Sequence, residues 1–216
     1  MTLFIDNDAL WKLASWNLLR EGIEACDYTP ADVRYLPSVP FVFRLGKPGC
    51  KLPPTVATLM LQIMAEGKEC REDPPPHLSK LPTVDDVDAG DAILLAQAAV
   101  VPGAVLSTGD KRCIRAAASS PAYAEVVRLL AGRVVCLEQV VLRVIELRGF
   151  DEVKQRVVGS GQLHVDEAVR AAFGSGWQAD EMNACFGLES KVSSLAASSG
   201  GMLAPRAFRF SVPTDG

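Results

Sequence analysis

Leu3-Phe4-Ile5-Asp6-Asn7-Asp8 and Ala104-Val105-Leu106-Ser107-Thr108-Gly109-Asp110 are two short apolar runs, each ending in aspartate. Continuous apolar runs of this length, each leading into a helical pattern, read as strands buried on both faces of a parallel sheet. Parallel strands bring their carboxyl ends to one edge, where open α/β folds place their ligands. A third acid, Asp91, opens the apolar run Ala92-Ile93-Leu94-Leu95-Ala96. Three carboxylates gathered there repel one another unless a hard divalent cation lies among them. The pattern therefore predicts a metal site built on Asp6, Asp91 and Asp110.

Outward from these runs the chain alternates. A helix capped by Asn7 or Asp8 carries Leu10, Leu13, Ala14, Leu18 and Leu19 at helical spacing, with Trp11 and Trp16 as packing residues. A strand is expected over 33–39 and a helix over 55–66. The connection 71–82 contains Pro74-Pro75-Pro76 and is expected to hold no helix. A helix over 85–100 puts Asp88 and Asp91 on one face if it already includes Asp88. The second key strand spans 104–107, a helix begins at Lys111, and a further helix, strand and helix follow over 122–130, 133–137 and 138–147. This rhythm predicts an α/β fold, a three-layer α/β/α arrangement around a central, mostly parallel sheet over residues 1–150. Residues 151–216 lose the rhythm. They read as a mainly helical C-terminal extension, with helices over 151–158, 166–173 and 179–197 and a flexible link, Ser198-Ser199-Gly200-Gly201. The tail Arg206-Ala207-Phe208-Arg209-Phe210 alternates polar and apolar residues and is expected to pack on its own domain.

A length of 216 residues suits one sizeable core with a small appendage. With 49% hydrophobic and 22% charged residues the composition is that of a globular protein, and aromatics at 6% leave aliphatic side chains to fill the interior. The net charge of −4 does not advertise a nucleic-acid binder, although a local basic patch is compatible with it. The N-terminus lacks a basic leader, and no apolar stretch reaches the roughly 18 residues a membrane helix needs, so a cytoplasmic protein with no membrane partner is expected. The six cysteines are scattered without a C-x-x-C pair, which predicts buried, reduced thiols and no zinc.

With those residues in place, the chain over about residues 1–147 resembles the PIN-domain nucleases, a family that includes ribonuclease toxins of bacterial toxin–antitoxin pairs. Phe4-Ile5-Asp6-Asn7-Asp8-Ala9-Leu10 looks like the family's opening strand and aspartate. Val87-Asp88-Ala89-Gly90-Asp91-Ala92-Ile93 is similar to its internal acidic helix start, and Val105-Leu106-Ser107-Thr108-Gly109-Asp110-Lys111 to its later strand ending in Thr-x-Asp. Residues 133–146 fit the last strand and helix. The resemblance implies a metal-dependent ribonuclease in which Asp6, Asp91 and Asp110 hold one or two Mg2+ or Mn2+ ions that activate water against a backbone phosphorus. Thr108 would orient Asp110 or a phosphate oxygen, with Asp8 and Asp88 supporting the ligands from behind. Lys111, Arg112 and Arg115 would position the RNA backbone. The family also implies an antitoxin or other protein partner and a homodimer.

The sequence departs from the family at two places. At the position after Lys111 it carries the basic Arg112 where an acid is frequent. The acid usual early in the helix after the second strand falls near residues 41–44, where no carboxylate stands. Glu66 or Glu69 could substitute. Residues 40–51 carry Arg44, Lys47 and Lys51 among two glycines and two prolines. They read first as a solvated loop, and alternatively as a basic flap that grips phosphates. Two other functional classes remain open. One is a degenerate PIN-like module that binds RNA or protein without chemistry. A distant third is a haloacid-dehalogenase-type phosphatase, because Asp6-Asn7-Asp8 mimics that family's Asp-x-Asp.

Overall fold

The computed structural model describes residues 1–71 and 73–205. Its centre is a sheet of five parallel strands in the order β3-β2-β1-β4-β5: β1 Leu3–Ile5, β2 Val33–Tyr35, β3 Lys68–Glu69, β4 Val105–Thr108 and β5 Val134–Cys136. Every residue of β1, β4 and β5 is buried, which is why these strands read as unbroken apolar runs rather than alternating ones. The fold is the expected α/β class with helices on both sheet faces and C-terminal helices added.

Helix α1 (Asn7–Ser15) ends sooner than the leucine spacing suggested. Asn17 adopts φ 54°, a left-handed conformation asparagine tolerates, and α2 (Leu19–Ala25) starts afresh. Strand β2 is also shorter than expected. Pro37 has no N–H to continue the ladder, and Pro40 suits the first turn of the short helix α3 (Val39–Phe43). Helix α4 (Pro54–Glu66) lies as predicted. The proline-rich connection does contain a helix, α5 (Pro76–Ser79), because its last proline sits at the first helical position, where a missing N–H costs nothing. Strand β3 was not anticipated. It is a two-residue charged edge with no apolar pattern to announce it.

The remaining helices are α6 (Ala89–Val100), α7 (Lys111–Ser119), α8 (Ala124–Leu129), α9 (Leu137–Arg148), α10 (Phe150–Gly159), α11 (Glu167–Ala172) and α12 (Glu181–Ala196). Helices α1, α2, α4 and α9 pack together, and α6, α7 and α8 form a separate group. The extension shares the main core: Val157, Phe173, Leu188 and Leu195 belong to the same buried cluster as β1. The expected flexible link is a turn tied to the sheet. Gly132 N–H donates to the Gly201 carbonyl at 2.9 Å, and Leu203 then pairs in parallel with Val134. The alternating tail from Arg206 lies outside the described residues. All six cysteines are free thiols. Among the described residues, no helix is long and apolar enough to cross a membrane.

Candidate functional site

The strand order reverses direction between β1 and β4: β2 and β3 lie on one side of β1, β4 and β5 on the other. A crevice opens beyond the carboxyl ends of the strands at such a switch. Asp6 follows β1 at this point, and Gly109 and Asp110 follow β4.

Each aspartate is placed by a helix start. Asp6 has extended backbone angles and caps α1: one oxygen accepts from Ala9 N–H, and the other from the Thr108 hydroxyl and from Gly109 N–H at 3.1 Å. Asp110 caps α7, its Oδ1 accepting from Arg112 N–H at 2.8 Å and Cys113 N–H at 3.1 Å. Thr108 links the two, since its hydroxyl also accepts from Asp110 N–H at 3.0 Å. Asp88 and Asp91 cap α6 reciprocally, each carboxylate accepting from the other's backbone N–H. The capping role expected of Asn7 or Asp8 thus belongs to Asp6, because the first residue after the strand still has extended angles while Asn7 and Asp8 are already helical.

The structure brings Asp6, Asp8, Asp88, Asp91 and Asp110 to one cleft of about 470 Å³, walled also by Asn7, Trp11, Ser38, Val42, Phe43 and Gly90. Gly109 suits the close approach of β4 to α1: a Cβ there would stand 3.0 Å from Asp8 Oδ2. Burial, reinforced by the charge of Asp8, raises the Asp6 carboxyl to about 7 against the pull of its hydrogen bonds. Burial and the charges of Asp88 and Asp110 raise Asp91 to about 6. Burial pushes the Cys113 thiol up, and the charges of Asp91, Asp110, Asp6 and Asp88 push it the same way.

The donor chemistry suits a hard divalent cation. Among the described residues none donates to Asp91 Oδ1 or Asp110 Oδ2, and Asn7 Oδ1, buried in the cleft wall, has no hydrogen-bond partner. No three His, Cys, Asp or Glu side chains among those residues stand in a group able to hold a metal ion together. A cation here would use one or two carboxylates and complete its shell with water, as magnesium commonly does.

The predicted basic residues divide. Lys111 is turned inward onto Glu138, which is 1% exposed. Arg112 and Arg115 lie on exposed surface with Asp85 and Asp86, outside the cleft wall. Arg44 and Lys47 follow α3, whose Val42 and Phe43 line the cleft. Glu66 pairs with Arg20 and Glu69 with Arg71, and neither lines the cleft.

Sequence reasoning missed a buried ionic cluster behind Asp8. Lys12 Nζ donates to Asp8 Oδ2 at 2.6 Å and to Asp166 Oδ2 at 3.0 Å, and Lys111 Nζ lies 3.9 Å from the same Asp166 oxygen. The i,i+4 spacing of Asp8 and Lys12 was a legible signal. Nothing local marks Asp166. No protein-family model, curated protein or solved structure matches the chain.

Proposed function

We propose that the protein is a PIN-like, metal-dependent ribonuclease that cleaves RNA phosphodiester bonds in the acidic cleft. One observation carries this reading: Asp6, Asp91 and Asp110 line a single cleft at the switch point of a parallel sheet. Asp91 and Asp110 offer the oxygens that no described residue engages. Asp6, held by three donors, fixes the ends of β1 and β4 relative to each other, and Thr108 aligns Asp6 with the backbone of Asp110. Bound magnesium or manganese would supply Lewis acidity toward a phosphate oxygen and toward water. Below about pH 6 the raised carboxyls of Asp6 and Asp91 hold protons that a bound cation would displace.

A second reading is a degenerate module that binds RNA or protein without cleaving. It is favoured by the wall at Val42 and Phe43, which brings no carboxylate to the cleft, and by the absence of a closed three-residue ligand group among the described residues. The deciding experiment is cleavage of single-stranded RNA with Mg2+ or Mn2+, and with EDTA, by the wild type and by the Asp6→Asn, Asp110→Asn double variant. The ribonuclease reading expects metal-dependent cleavage that the double variant loses. Equal inactivity of both proteins sinks it in favour of the second reading.

A further inference from the structure

The end of α3 and the turn that follows it combine three features. Phe41 is 70% exposed and Val42 45% exposed. Arg44, Lys47 and Lys51 are all exposed, and none makes an ion pair with a described residue. Lys47 Nζ lies 5.2 Å from the centroid of the Phe41 ring. The segment is a defined turn, closed by hydrogen bonds from Lys51 N–H to the Phe43 carbonyl and from Cys50 N–H to the Lys47 carbonyl. It is also joined to the cleft. The Phe43 ring meets Trp11 at 6.5 Å between centroids, and Trp11 Nε1 donates to Asp8 Oδ1 at 3.1 Å.

We propose that the end of α3 and the turn after it form a docking platform for single-stranded polynucleotide, in which an unpaired base stacks on Phe41 while Lys47, Arg44 and Lys51 neutralise the adjoining phosphates. The choice of polymer rests on the ribonuclease reading. Five aspartates in the cleft repel a phosphate backbone, so a polyanion that approaches it needs cations on the rim, and this turn supplies them. An exposed aromatic ring beside such cations is the combination that binds single strands, because every base has a face to stack and a duplex hides its own. Ring and ammonium lie close enough to meet one nucleotide together, the ring taking its base and the ammonium its phosphate.

The test is fluorescence anisotropy with labelled single-stranded RNA, single-stranded DNA of the same sequence and duplex RNA, all in EDTA so that cleavage plays no part. Both single strands are expected to bind more tightly than the duplex. Phe41→Ala weakens both by about tenfold, whereas Phe41→Trp retains binding. Lys47→Ala reduces the salt dependence by about 0.7 in the log–log slope, the loss of one single-strand phosphate contact. The site is overturned if Phe41→Ala binds as well as the wild type, if the duplex binds equally tightly, or if no strand binds. It is also overturned if sedimentation shows self-association that Phe41→Ala abolishes, which would assign the face to a second copy of the chain. Phe41-dependent binding without metal-dependent cleavage removes the ribonuclease reading alone; cleavage without Phe41-dependent binding removes this one alone.

Discussion

Lys12 Nζ donates to Asp166 Oδ2 at 3.0 Å, joining residues 154 positions apart. Lys12 belongs to α1, the helix capped by Asp6, and Asp166 caps α11 in the C-terminal extension, its Oδ1 accepting from Ala168 and Val169 N–H. The extension is thereby coupled to the floor of the cleft. Burial alone would raise the Asp166 carboxyl, yet Lys111 and Lys12 hold it below the usual range. Asp166→Asn keeps a capping oxygen and removes the charge. It should destabilise the protein by roughly 1–3 kcal/mol, less than the loss of a fully buried pair because Lys12 retains Asp8. A urea titration at neutral pH measures this. The depressed carboxyl stabilises the fold above its unfolded value near 4 and ceases to do so as pH falls through its folded value. The variant should therefore lose part of the wild type's acid sensitivity below about pH 4.

Asp6 titrates in the opposite sense. Its folded value of about 7 lies above its unfolded value of about 3.9, so between those limits the folded state holds a proton that the unfolded state has released. This group's contribution therefore falls as pH rises from about 4 to about 7, by up to about 1.4 kcal/mol per pH unit. Asp6→Asn should flatten that slope, as seen in denaturant midpoints collected across the window in EDTA. In the wild type, saturating Mn2+ should reduce the same slope, because a cation replaces the proton. An identical slope in the variant refutes the assignment to Asp6.

The legibility of the chain follows from where its physical signals are local. Strands β1, β4 and β5 are buried on both faces, and continuous apolar runs such as Leu3-Phe4-Ile5 show this directly. The three aspartates were found because a carboxylate at a strand end is conspicuous against such runs. The cap of α1 was assigned to Asn7 or Asp8 instead of Asp6 because extended and helical angles at these three residues are not visible in residue identity. Strand β3 carries Lys68 and Glu69, a charged edge without an apolar pattern. The ionic role of Asp166 was illegible because its charged partners, Lys12 and Lys111, stand more than fifty residues away. Lys111 read as a surface cation, and only the arrival of Glu138 from α9 turns it inward.

Gly109 is needed for space rather than for backbone freedom. A Cβ would meet Asp8 Oδ2 at 3.0 Å, Ala9 N at 3.2 Å and the Asp8 carbonyl carbon at 3.3 Å, all in the first turn of α1. Backbone cannot yield as a flexible side chain would. Gly109→Ala should therefore push β4 away from α1, lengthen the Gly109 N–H bond to Asp6 and cost about 1–3 kcal/mol. Thermal unfolding checks the cost. An alanine variant as stable as the wild type would show that the two elements are not closely seated.

Thr108 stands between the two strand-end acids, donating its hydroxyl to Asp6 and accepting from Asp110 N–H. Thr108→Val preserves shape while removing both bonds. Asp6 loses a donor that favours its charged form, so its carboxyl should titrate above about 7; Asp110 N–H loses its acceptor. The expected stability loss is about 1–3 kcal/mol, the cost of leaving buried polar groups unpaired. Thr108→Ser keeps the hydroxyl and should restore the Asp6 titration. Carboxyl-carbon NMR across pH 5 to 9 separates the two variants. If valine and serine leave Asp6 titrating at the same pH, the hydroxyl does not couple the ends of β1 and β4, and the alignment of Asp6 with Asp110 must come from the helix caps alone.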